Sequence, residues 1–173
     1  DWTPSNYSVS ANVVLWLKSD TGVTATGTSV TGWADQSANT NNASQSTGSA
    51  QPTLVNSSIN GINTLSFDGS TDFMNISNDS SFNLNSDGLS FFVFCKPTPA
   101  TLPSASGFAF LIKDGTFGMR INTDGDSNVN PSFDNFSSVE SGTTNAVRGN
   151  NWQIVGFNKA DAFYVNGSSA GNF

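Results

Sequence analysis

Short runs of aromatic and β-branched residues, each closed within a few positions by Gly, Asn or Asp, follow one another along almost the whole chain. Asn60 to Ser77 shows the grammar. Thr64, Leu65 and Phe67 lead in, Asp68-Gly69-Ser70-Thr71-Asp72 bends, and Phe73, Met74 and Ile76 lead out. Runs of this kind bounded by turn formers specify β-hairpins. Neither a long helix-period segment nor an internal repeat competes with them. Turn signals at roughly 8–12-residue spacing predict a β-sandwich or jelly roll.

Individual strands can be placed from their alternation. NVVLWLK, Asn12 to Lys18, sets Val13, Leu15 and Leu17 on one face and Val14 and Trp16 on the other, which predicts a strand buried on both sides. LSFFVFCK, Leu89 to Lys96, sets Leu89, Phe91, Val93 and Cys95 against Phe92 and Phe94, and is expected to be a central strand. Two short strands are expected between Val23 and Gln36, with Trp33 as an anchor. Ser37 to Ser49 reads as a polar loop, and Gln51 to Val55 as an edge segment, because Pro52 cannot donate to a ladder. Asp114-Gly115 predicts a hairpin joining Phe108–Lys113 to Thr116–Asn122. Phe133, Phe136 and Val139 suggest a strand pair. The last hairpin joins Asn151–Asn158 to Ala162–Val165 and ends in an Asn166-Gly167 turn. Phe91, Val93, Trp16 and Phe67 are the expected core.

Composition narrows the function classes. The 173 residues suit one sandwich domain. With 14 Phe and only 11% charged residues, solubility rests on Ser, Thr and Asn. The net charge is −7, and the 6 Lys and Arg are scattered, so no basic stripe is available for nucleic acid. No apolar run is long enough to span a bilayer as a helix. Cys95 is the single cysteine and reads as a small buried hydrophobe.

Five pieces, in order, carry a family resemblance. They are VVLWLKSDTGV; VTGWADQSANTNNASQ, with Trp33, Asp35, Gln36 and Ser37; QPTLV followed by LSFDGSTDFM, with Phe67, Asp68, Gly69 and Asp72; Leu89 to Pro97; and NNWQIVGFNKADAFYVNG, with Trp152, Tyr164, Val165, Asn166 and Gly167. Together they resemble the laminin-G-like, concanavalin-A-like lectin/glucanase superfamily in its bacterial and phage form. The resemblance implies an all-β antiparallel sandwich with jelly-roll connectivity. Its members include lectins, carbohydrate-binding modules, adhesion domains, glycosidases and phage structural proteins, and fold alone does not choose among them. Ala38 departs from the pattern, standing where Gly is common. The family's closing strands have no counterpart after Phe173. The single domain, 1–173, is therefore expected to lack its closing C-terminal strands, and either further chain or a strand from a neighbour is expected to cover the exposed edge.

The residue inventory argues against an enzyme. Without His there is no Ser-His-Asp triad, no Cys-His pair and no His-ligated zinc. Glu140 is the only Glu, so the Glu-x-Asp-x-x-Glu strand of the glucanases is missing. It reads as a solvated loop charge. Calcium is the one cofactor the chain suggests, at Asp124, Asp126 and Asn128, which start an Asp-x-Asp-x-Asn loop; an exposed polar loop is the alternative. Asp68 and Asp72 read as side-chain-to-backbone bonding within a turn. Phe133, Phe136 and Asn135 are the candidate sugar-binding residues, with ordinary core the alternative for the two rings. The expected role is a non-catalytic recognition module of an extracellular, cell or virion surface, glycan-binding or adhesive, among protein neighbours. The competing role is a purely structural virion protein, a decoration, cement or fibre-associated domain.

Overall fold

The computed structural model describes residues 12–77, 80–82, 90–98, 108–113, 117–123, 129–134, 139–141, 150–158 and 162–172, with backbone alone between 108 and 141. The fold is all-β, and every strand pairing among the described residues is antiparallel, as in a β-sandwich. Helical structure among the described residues is confined to single 3-10 turns such as Gly48–Ala50 and Ser80–Phe82. The chain gathers into two compact units, Asp1–Asn83 and Leu84–Phe173.

The first unit holds β1 (Val23–Thr26), β2 (Ser29–Trp33), β3 (Ala43–Ser44), β4 (Thr53–Ile59), β5 (Ile62–Ser66) and β6 (Asn75–Ile76). They form one sheet in the order β5-β4-β2-β3-β6, with β1 also paired to β2. Val30, Ala43, Ala50, Pro52 and Phe82 are its buried apolar side chains among the described residues. The hairpin in this region differs from the expected one. It joins β4 to β5 through Asn60-Gly61, both at positive φ (49° and 80°), the geometry of a type I′ turn. Asp68 to Asp72 joins β5 to β6, but β6 pairs with β3 instead of folding back on β5. β4 has neighbours on both sides, and Pro52 is accommodated because its carbonyl accepts from Val30 N at 2.8 Å.

Two further expectations for this unit are corrected. Phe67 is exposed, lying just past the end of β5. Asn12 to Lys18 forms no strand, apart from isolated bridges from Leu17 to Asp35 and from Lys18 to Thr21. Side chains take the place of a ladder there. Val13 O accepts from Asn39 Nδ2 at 2.8 Å, Val14 O from Asn41 Nδ2 at 2.9 Å, and Trp16 N donates to Asp35 Oδ1 at 2.8 Å. The Ser37–Ser49 loop supplies the Asn39 and Asn41 amides as well as β3, so its polarity serves to hold the N-terminal segment.

The second unit has two sheets. One is β11-β10-β9-β8, built from β8 (Phe108–Lys113), β9 (Phe117–Thr123), β10 (Val129–Asp134) and β11 (Val139–Ser141). The expected β8–β9 and β10–β11 pairs are present. Glu140 lies on β11, opposite Phe133, and so belongs to a strand and not a loop. The other sheet is β14-β13-β12-β7, from β7 (Ser90–Cys95), β12 (Gln153–Asn158), β13 (Ala162–Val165) and β14 (Ser168–Asn172). Asn166-Gly167, at φ 51° and 80°, turns β13 into β14. Val155, Phe157 and Phe163 are fully buried on its inner face, and the rings of Phe157 and Phe163, directly opposite in register, sit 5.7 Å apart.

Cys95 lies on the same inner face as Phe91 and Val93, and burial pushes its thiol up to about 12. The thiolate is the reactive form, so the folded protein should react with a disulfide reagent at pH 8 far more slowly than the unfolded chain. Stopped-flow thiol titration with and without denaturant checks this. Equal rates would mean that Cys95 is open to solvent.

Candidate functional site

Strand alternation gives the β14-β13-β12-β7 sheet a second face, and its composition is unusual. On β7, Phe91, Val93 and Cys95 point inward and Phe92 and Phe94 outward, 65% and 53% exposed. On β12, Gln153, Val155 and Phe157 point inward and Ile154 outward, 49% exposed. The expectation of a central strand is not met: among the described residues β7 stands at the edge of its sheet and pairs with β12 alone. A sheet covered on one face puts polar residues on the other; here they are aromatic.

Register lays these side chains out in rows. Phe94 faces Ile154, and Phe92 faces Gly156, which in turn faces Tyr164, which faces Ser169. Trp152, one position before β12, stacks on Phe94 with ring centroids 5.1 Å apart and planes 18° apart. Gly156 explains where the Phe92 ring lies. A Cβ on that glycine would come within 2.6 Å and 2.7 Å of Phe92 Cδ1 and Cε1, so the ring occupies the space a side chain would take, reaching sideways across the ladder. Cross-strand aromatic–glycine pairs shield the backbone that glycine leaves bare. The rim is polar: Ser90 faces Asn158 at one end, Asn166 and Ser169 flank the β13–β14 turn, and alternation puts Lys96 beyond Phe94 at the other end. Asn166 is held in place, its Oδ1 accepting from Ile154 N at 3.0 Å.

Three carboxylates of the first unit, Asp35, Asp68 and Asp72, are committed to their own segments. Asp35, 8% exposed, accepts from Trp16 N, Ser37 N, Ser37 Oγ and Asn41 N at 2.8, 2.9, 2.6 and 2.9 Å. Burial alone would raise its pKa; these four bonds outweigh burial and hold it below the ordinary carboxylate value. Asp68 Oδ1 accepts from the backbone N–H groups of Ser70, Thr71 and Asp72, and its Oδ2 from Thr71 Oγ1. The Asp72, Ser70 and Thr71 amides hold Asp68 well below the usual carboxylate range. Asp72 Oδ2 closes the turn onto Asp68 N at 3.0 Å. The turn reading of Asp68 and Asp72 thus describes what the residues do.

Of the expected sugar-binding set, Phe133 lies on β10 between Met119 and Glu140, while Asn135 and Phe136 fall outside the described residues. Asp124, Asp126 and Asn128, the expected calcium ligands, also lie outside them. Among the described residues no three His, Cys, Asp or Glu side chains group to hold a metal ion, and no helix is long and apolar enough to cross a membrane. The aromatic face was hidden in sequence because alternation set Phe92 and Phe94 opposite Phe91 and Val93 without saying whether that side is covered. The signal that could have found it is Gly156 opposite Phe92, visible only once the register is known.

No family model matches the chain, and neither a curated protein nor a solved structure is significantly similar to it.

Proposed function

We propose that this chain is a non-catalytic, lectin-like recognition module of an extracellular or virion surface, with the laminin-G-like, concanavalin-A-like jelly roll its sequence resembles. Its binding surface is the outer face of β7, β12 and β13. The observation that carries the reading is the exposure of Phe92, Phe94 and Ile154 beside the Trp152 ring on a regular strand pair. Contiguous exposed apolar groups rimmed by polar ones mark interaction sites, and a strand pair fixes the spacing of the positions that carry Phe92, Phe94 and Ile154 more firmly than a loop would. A non-catalytic role is supported by what the carboxylates do. Asp35 and Asp68 spend their oxygens on backbone amides, which suits a scaffold and not proton transfer.

Retention on immobilised cell-surface glycans tests this. The wild-type chain should be retained. The Phe92→Ser/Phe94→Ser double variant should lose at least ~10-fold in affinity, as removal of two exposed stacking rings implies, with its thermal midpoint nearly unchanged. Retention unaffected by the two substitutions would remove this face from the reading. A purely structural virion role would show itself instead as self-association through the face, with no glycan retained.

A further inference from the structure

We propose that the face takes an uncharged polysaccharide with equatorially substituted, β-linked sugar rings, and that the Phe92 ring, laid over Gly156, is its central stacking platform. The inference rests on the recognition reading above and names the class of ligand.

Three observations select that chemistry. The first is the arrangement of polarity. Rings and Ile154 fill the middle of the face, while amides and hydroxyls (Ser90, Asn158, Asn166, Ser169) lie around it. A pyranose whose substituents are all equatorial has the same layout, with axial C–H groups on its faces and hydroxyls around its edge. Axial substituents would lift a sugar off the rings. The second is spacing. Phe92 and Phe94 are two residues apart on one strand, ~6.8 Å along it, on the scale of one sugar ring. Successive residues of an extended β-linked chain can therefore engage both positions; the curved path of an α-linked chain cannot follow a straight strand. The third is charge. Among the described residues, the one ionisable cation that alternation puts at this face is Lys96, at its end, and the chain as a whole carries −7. An anionic polymer gains one contact there and meets long-range repulsion everywhere else.

Gly156 then acts as a positioning residue. Phe92 Cδ1 and Cε1 stand where its Cβ would be, so any side chain at 156 pushes the ring outward. The ring is exposed and free to swing, so the fold tolerates the change while the platform is lost. Gly156→Ala thus alters ring position without removing the ring, and Phe92→Leu removes the ring while keeping the site apolar.

The test is calorimetric titration of the 173-residue chain with four oligosaccharides of equal length: two neutral and β-1,4-linked (glucose, N-acetylglucosamine), one neutral and α-1,4-linked, and one anionic polyuronate. At least one neutral β-linked chain should bind, with the α-linked and anionic chains at least ~10-fold weaker, and Gly156→Ala and Phe92→Leu should each weaken binding at least ~5-fold, as loss of a ring–sugar stack implies. Circular dichroism of both variants should match the wild type. Equal or tighter binding of the α-linked or anionic chain overturns this inference and leaves glycan recognition standing. Binding of the β-linked chain that ignores both substitutions overturns the role of the Phe92 platform. No binding of any oligosaccharide, or a dimer buried through this face in sedimentation, overturns both the inference and the reading beneath it.

Discussion

Phe157→Ala should cost about 3–5 kcal/mol on denaturant titration, while Phe92→Ala, one residue type on the neighbouring strand, should cost less than ~1 kcal/mol. The two rings belong to opposite faces of one pairing. Phe157 is fully buried, touches the Phe163 ring across β12 and β13, and stands opposite Phe91 on β7. Truncation leaves a cavity whose walls are held by three strands, so little of the lost contact is recovered. Phe92 is exposed, its ring lying over Gly156. A single-residue slip of β7 against β12 would exchange the faces and reverse the order of the two costs. Similar losses for both would mean that Phe92 is core and that the aromatic face is covered.

That contrast shows how far the chain could be read before its structure. Alternation in SFFVFC correctly divided Phe91, Val93 and Cys95 from Phe92 and Phe94. What alternation cannot say is which set is covered, because an apolar residue facing solvent looks the same in sequence as one facing a second layer. Turn chemistry was more informative than apolar content. Asn166-Gly167 was legible, and Asn60-Gly61 carries the same dipeptide with the same pair of positive φ angles. The Asp68–Asp72 bend was given the hairpin in its place because its acidic residues suggested a tight turn between two strands. Its carboxylates do make a turn, but one that carries the chain across to β3. The apolar run NVVLWLK misled for a different reason. It has the pattern of a ladder strand, yet most of the backbone partners of Val13, Val14 and Trp16 are side chains of Asp35, Ser37, Asn39 and Asn41. Those residues looked like an aperiodic loop. Nothing in their spacing announces that their partners lie 19 to 27 positions away.

Asp35 is the centre of that arrangement, and its removal should be the other large loss. Asp35→Ala leaves the amides of Trp16, Ser37 and Asn41 without their acceptor, and Asn41 is itself buried. Each buried donor left unmet costs ~1–3 kcal/mol, water reaches some of the three, and a net loss of about 3 kcal/mol follows. Asp35→Asn keeps the shape but has one acceptor oxygen where the carboxylate has two. It should lose about half as much, because its amide nitrogen must face at least one N–H. The same bonds give a pH signature. Their effect is to make the folded pKa of Asp35 lower than the unfolded value, so the unfolded chain takes up a proton first as pH falls. The stabilisation is therefore complete above the ordinary Asp pKa of ~3.9 and is lost as pH drops from there through the folded value. Denaturant midpoints between pH 7 and pH 2 should fall more steeply for the wild type than for Asp35→Asn, and the two curves should converge in acid. Parallel curves would mean that the carboxylate is not charged in the folded protein, and that Asp35 holds the N-terminal segment by shape alone.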